Sequence, residues 1–186
     1  MKFNKEIDIK DKLISIESPT FVIAEAGVNH GGDMAVAKKL IDLAADAKAD
    51  AVKFQTFKTE NLILSDIQKA PYQKDTTNAS ESQYDMLKRL EVTREQNLEL
   101  KQYCIDKGII FLTTPFDEES LEELDELDLP AYKVASTDTT NLPFLKKIAK
   151  KGKPIFLSTG MSYLSEVRLA LETIYEYNKD VVLLQC

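Results

Sequence analysis

Lys53 lies in Ala51-Val-Lys-Phe-Gln55 and Lys133 in Ala131-Tyr-Lys-Val-Ala135, both short apolar segments that read as buried strands. An ammonium group taken out of water in such a segment needs an anion or a carboxylate to receive it. Four further runs of the same kind also end in polar chemistry: Phe21-Val-Ile-Ala-Glu25, Ile109-Ile-Phe-Leu-Thr-Thr114, Pro154-Ile-Phe-Leu-Ser158 and Val181-Val-Leu-Leu-Gln185. Ser136 and Asp138 follow the Lys133 strand. Two lysines, several hydroxyls and the acids Glu25 and Asp138 form a set suited to a small polyanion, with ammonium groups supplying charge and hydroxyls supplying directional hydrogen bonds.

A phosphate and a carboxylate held close together, as in phosphoenolpyruvate, match that set. The same residues also permit a purely structural reading, with Lys53 paired to Glu25 and Lys133 to Asp138 as internal ion pairs.

The strands that carry these groups begin near residues 21, 51, 109, 131, 154 and 181, and amphipathic helical stretches lie between them. Six strands delivering their functional groups at the carboxyl end describe one face of a parallel α/β sheet or barrel. The expected fold is α/β, a TIM (β/α)8-type barrel truncated after the sixth strand, since a closed barrel takes about 250 residues. A six-stranded doubly wound sheet is the alternative. Residues 1–19 read as an amino-terminal β-hairpin, with Ile7 and Ile9 alternating in one arm and Ile14 and Ile16 in the other. Residues 20–186 read as the partial barrel.

Local signals punctuate the helices. Asp33, Thr93 with Gln96, Asp117 and Asn141 with Pro143 stand where helices start, and Gly108 and Gly152 where they end. The first helix is expected to bury Val36, Leu40, Leu43, Ala44 and Ala47. The stretch from Thr56 to Val92 is too long for an ordinary loop and suits a substrate-covering insertion, with a helical piece near Tyr84–Leu90. Gly27-Val-Asn-His-Gly31-Gly32 lacks the spacing of a dinucleotide fingerprint. Ser158-Thr-Gly-Met161 is a small-residue turn whose amides suit a phosphate. Lys146, Lys147, Lys150 and Lys151 read as a solvated helix face.

A formal charge of -7 and a pI near 4.9 argue against nucleic acid or an anionic membrane as partner. The amino terminus lacks the apolar core of a signal peptide, and no run approaches a transmembrane length, so a cytoplasmic location is expected. Cys104 and Cys186 form neither a disulfide framework nor a zinc motif and read as small apolar fillers. His30, the single histidine, cannot make a metal site alone.

Five stretches taken in order are more specific than any one of them. Ile23-Ala-Glu-Ala-Gly27-Val-Asn-His-Gly-Gly32, Val52-Lys-Phe-Gln55-Thr-Phe, Thr114-Pro-Phe116, Tyr132-Lys-Val-Ala-Ser136 and Leu157-Ser-Thr-Gly-Met161 resemble the sialic acid synthase family, from about residue 8 onward. The resemblance implies a TIM barrel followed by a small antifreeze-protein-like domain, absent from this chain, and a homodimer. It implies condensation of phosphoenolpyruvate with N-acetylmannosamine or a related acetamido sugar, as in N,N'-diacetyllegionaminate synthesis, with release of phosphate. By the same resemblance Lys53, Thr114, Lys133, Ser136 and Ser158 contact phosphoenolpyruvate. Gln55 and Asn78 contact the sugar, while Glu25 and Asp138 handle protons and the amino-sugar end. A divalent metal, Mn2+ or Mg2+, is implied to polarise the aldehyde, with its ligands beyond Cys186. The chain departs from the family at Ser136-Thr-Asp138, where a Ser-Gly-Glu or Ser-Gly-Asp sequence is usual. Another phosphoenolpyruvate-dependent sugar acid synthase, or an inactive anion-binding fragment, are the competing expectations.

Overall fold

The computed structural model describes residues 1–65 and 82–186. Its eight strands are β1 (Ile7–Ile9), β2 (Lys12–Ile14), β3 (Ile23–Gly27), β4 (Ala51–Thr56), β5 (Ile110–Pro115), β6 (Tyr132–Val134), β7 (Ile155–Ser158) and β8 (Val181–Leu184). Seven described helices separate them: α1 (Met34–Asp46), α2 (Thr59–Leu62), α3 (Gln83–Leu90), α4 (Arg94–Asp106), α5 (Glu118–Asp125), α6 (Leu142–Lys150) and α7 (Leu164–Tyr175).

β1 and β2 form the antiparallel hairpin, and the other six strands make two parallel sheets, β3-β4-β5 and β6-β7-β8. β5 and β6 lie side by side where the sheets meet. The described residues form an arc of six parallel strands and not a closed barrel.

Strict alternation along the strands builds two cores. Val52 and Phe54, Phe111, Tyr132 and Val134, and Ile155 and Leu157 face the helices, packing with Ile41, Leu100, Leu121 and Ile148. Ala51, Ile110, Leu112, Ala131 and Phe156 face the other way, where Ile7 and Ile9 of the hairpin cover them. A one-residue slip in any strand would exchange these sets, so the two cores fix the register. The hairpin is tied down at its turn, where Lys12 Nζ lies 3.1 Å from Asp50 Oδ1. Ile16 lies outside β2 and is exposed, contrary to the expected alternation, because the second arm ends at Ile14.

The caps stand where the sequence places them. The Asp33 carboxylate accepts from the amides of Ala35 and Val36, Thr93 and Gln96 form a capping box, and the Asp117 and Asn141 side chains receive the amides of Ser120 and Phe144. The inner face of α1 differs from expectation. Ala44 is buried and Leu40 packs against the core as expected, but Ala37 and Ile41 are buried too, while Val36, Leu43 and Ala47 are exposed. Small alanines let the helix approach the sheet closely, and a scale that favours bulk overlooks them. The lysines of α6 are surface groups. Lys151 pairs with Asp125, Lys147 with Glu118, and Lys146 and Lys150 lie over the Tyr177 ring.

Candidate active site

The inward positions at the strand ends are polar, so the same alternation that builds the inner core below them lifts charged groups to its rim. β3 and β4 set Glu25 beside Lys53 in register, and β4 and β5 set Gln55 beside Thr114. The β3 ladder shifts between Glu25 and Gly27. Gly27 has φ +53, and a Cβ there would come within 3.0 Å of Glu25 Oε1 and 3.5 Å of Gln55 Nε2. A glycine takes that left-handed conformation without strain, and its bare backbone leaves the Glu25 carboxylate its place.

Lys53 and Lys133, each only 7% exposed, open on one hollow of about 440 Å3, together with Glu25, Ser158, Phe21, Ile23 and the Leu184–Cys186 segment. Lys53 Nζ lies 2.6 Å from Glu25 Oε2 and donates to Thr114 Oγ1 at 3.4 Å. Lys133 Nζ donates to Ser158 Oγ and to the Val134 carbonyl, both at 2.7 Å. The pairing of Lys53 with Glu25 foreseen in the structural reading is present. That of Lys133 with Asp138 is not, since the lysine's recorded acceptors are neutral.

Electrostatics follow from this asymmetry. Burial, reinforced by the nearby Lys53 charge, pushes Lys133 down to about 8, against a weaker upward pull from Glu25. A lysine in that range exchanges its proton near neutral pH.

The other predicted residues fall into three groups. Ser136 begins a single 3-10 turn, Ser136–Asp138, and its side chain abuts Gly160. Asp138 is buried in that turn, accepts from Asn141 Nδ2 at 3.3 Å and does not line the hollow. Burial raises its carboxyl above the usual range, opposed by hydrogen bonds from Asn141 and Thr137. Asn78, with Pro71 and Tyr72, lies outside the described residues.

Thr113 turns away from the site: its hydroxyl meets that of Thr56 at 2.9 Å, and Thr56 donates to Asn97 of α4. Cys186 is exposed on the hollow and not a core filler, because the sequence cannot show that the last strand ends at its rim. Cys104 is buried as expected. His30 is buried, its Nδ1 accepts from the Gly32 amide at 3.0 Å, and burial lowers its pKa. Sequence reasoning missed Thr139, which is fully buried and donates to the Ser158 carbonyl at 2.7 Å. A threonine five residues past a strand carries no signal of its own.

Among the described residues no group of three or more His, Cys, Asp or Glu side chains could hold a metal ion. The described residues therefore do not fit a divalent metal, and no step is routed through one. No described helix is long and apolar enough to cross a membrane.

The NeuB family matches residues 40–186. The chain is 49% identical over 170 residues to N,N'-diacetyllegionaminic acid synthase of Campylobacter jejuni, covering 90% of this chain and 51% of that protein. It is 44% identical over 171 residues to the Legionella pneumophila protein of the same name, covering 89% and 48%. A crystal structure of N-acetylneuraminic acid (sialic acid) synthetase from Leptospira borgpetersenii, in complex with citrate, superposes with a TM-score of 0.83 at 33% identity, covering all of this chain and 60% of that one. The chain thus spans about half the length of the curated relatives it matches. These matches bear out the resemblance carried by the five motifs. Since the family match runs through every strand from β4 to β8, lysines and hydroxyls included, the chain belongs to the NeuB family.

Proposed function

We propose that these residues are the phosphoenolpyruvate-binding part of a nonulosonic acid synthase. In this reading the enzyme condenses phosphoenolpyruvate with N-acetylmannosamine or a related acetamido sugar and releases phosphate. The observation that carries it is the convergence of Lys53 and Lys133, from different sheets, on one hollow with the Ser158 hydroxyl. Two ammonium groups and hydroxyls at that rim supply the charge and directional donors that a phosphate and a carboxylate require. The relatives named as legionaminic acid synthases support the sugar class, and the Leptospira synthetase, solved with the polyanion citrate, supports anion binding.

Lys53, Thr114, Lys133, Ser136 and Ser158 are assigned to phosphoenolpyruvate, and Gln55 and Asn78 to the sugar. The enol carbon attacks the sugar aldehyde, water adds to the resulting cationic carbon, and the tetrahedral intermediate expels phosphate as its hydroxyl becomes the ketone; one proton of that water ends on the sugar oxygen and the other on the phosphate. The lysines hold the negative charge of the phosphate as it departs. Glu25, on the rim, is placed to take the proton from the attacking water. Asp138, set apart from the hollow, is assigned to the amino-sugar end. A homodimer and a divalent metal, bound by residues outside those described, complete the proposal for the whole protein.

The test is calorimetric titration of the chain with phosphoenolpyruvate, with Lys53→Ala and Lys133→Ala alongside. Binding lost at least tenfold in each variant is expected, the scale of one charge-assisted contact; unchanged binding in both would return the lysines to a structural role. A second reading is anion binding without turnover, for which the two lysines and the Ser158 hydroxyl at the hollow suffice. Phosphate release by this chain with phosphoenolpyruvate, N-acetylmannosamine and manganese would discard it.

A further inference from the structure

The parallel ladder between β6 and β7 pairs Tyr132 with Ile155, Lys133 with Phe156 and Val134 with Leu157, and stops there. Ser158, the next residue of β7, still pairs with Leu184 on its other side but has no β6 partner. The Thr139 hydroxyl supplies the missing bond, donating to the Ser158 carbonyl at 2.7 Å. Thr139 is fully buried, so no water replaces that bond if it is removed. Ser158 is thereby gripped twice, at its carbonyl by Thr139 and at its hydroxyl by the Lys133 ammonium.

A second contact joins the same two turns. Gly160 has φ +54, and a Cβ placed on it would fall 2.4 Å from Ser136 Cβ and 2.7 Å from Ser136 Oγ. No L side chain tolerates that approach, so the turn after β7 accepts Ser136 only against bare backbone. Neither Thr139 nor Gly160 lines the hollow.

We infer that Thr139 and Gly160 are positioning residues, which clamp the turn after β6 onto the turn after β7 and so set where Lys133, Ser136 and Ser158 stand. Thr139 acts through Ser158 on Lys133, and Gly160 acts on Ser136. The inference rests on the proposed function only for its affinity arm; its effect on Lys133 is independent of any substrate.

The test uses the 186-residue chain with two readouts, the titration midpoint of Lys133 followed by its 13Cε chemical shift, and phosphoenolpyruvate affinity by calorimetry. Thr139→Val keeps the shape and removes the donor. It should move the Lys133 midpoint below its starting value, because the ammonium loses a well-placed acceptor, and weaken affinity about tenfold, the scale of one buried hydrogen bond. Thr139→Ser restores the hydroxyl and should restore both values. Thr113→Val, a comparable buried hydroxyl loss on the helix-facing side, should leave the Lys133 midpoint in place. A folded Thr139→Val with both values unchanged overturns the inference, as does a Thr113→Val that moves the midpoint equally. If Thr139→Val does not fold, Gly160→Ala decides by affinity, and an unchanged value overturns the role of the clamp. If the unaltered chain binds no phosphoenolpyruvate, the proposed function fails while the Lys133 midpoint in Thr139→Val, against Thr113→Val, still decides this one.

Discussion

Glu25 holds a carboxylate oxygen 2.6 Å from Lys53 Nζ, whereas the recorded acceptors of Lys133 are a hydroxyl and a backbone carbonyl. One ammonium in the hollow is therefore neutralised and the other is not. Glu25 is also half exposed at its side chain, so it can leave for water when another anion takes its place.

Replacing Glu25 by Gln should tighten binding of inorganic phosphate and of phosphoenolpyruvate at pH 7 by several fold. The ligand then no longer competes with an internal counter-ion worth about 1 kcal/mol at a half-exposed site. Calorimetry on the two proteins measures this, and weaker binding by the variant would show that Glu25 organises the site instead of occupying it.

Lys133 gives the site a pH dependence of definite sign. Its folded value of about 8 lies below the ordinary 10.5, so between those values the unfolded chain holds a proton that the folded chain has lost. Stability therefore rises with pH across that window, and the burial penalty, on the order of 3 kcal/mol, is felt below it. In urea melts Lys133→Met should gain stability relative to the unaltered chain at pH 7 and lose that advantage by pH 10.5. Ligand binding runs the other way. Affinity for phosphoenolpyruvate should fall as pH rises through 8, because only the ammonium form attracts it.

The two thiols should separate cleanly. Burial pushes the Cys104 thiol up to about 12, while Cys186 is exposed at the rim. A chromogenic disulfide reagent should titrate one equivalent in the native chain and two in urea. Phosphoenolpyruvate should slow the first, and two fast equivalents in the native chain would mean that the outer core opens.

Leu112 is fully buried in the inner core beneath the lysines. Leu112→Ala should cost about 2–5 kcal/mol in a urea melt, the range for a large-to-small core change. A loss below about 1 kcal/mol would mean that the inner face is loosely packed.

The residues that could be read from sequence carry a signal in their own segment. Lys53 and Lys133 announce themselves because charge does not belong in a strand core, and Asp33, Thr93 and Asp117 because capping has a fixed offset from the helix. The period-two alternation also placed Lys53 on the hollow's face and Phe54 on the helix-facing one. What stayed illegible depends on contacts between segments distant in sequence. Thr139 matters through the Ser158 carbonyl, nineteen residues away, and Thr113 turns outward to meet Thr56 across 57 residues. Val36 and Leu43 looked like the inner stripe of α1 because bulk is easier to see than fit.

The amino-terminal hairpin, far along the strands from the lysines, has a reach beyond its own size. With Ile7 and Ile9 it covers Ala51, Ile110, Leu112, Ala131 and Phe156, the apolar side chains of the inner core. Trimming the first nineteen residues would moisten the base of the hollow and return the Lys133 amine toward the basicity it has in a free peptide.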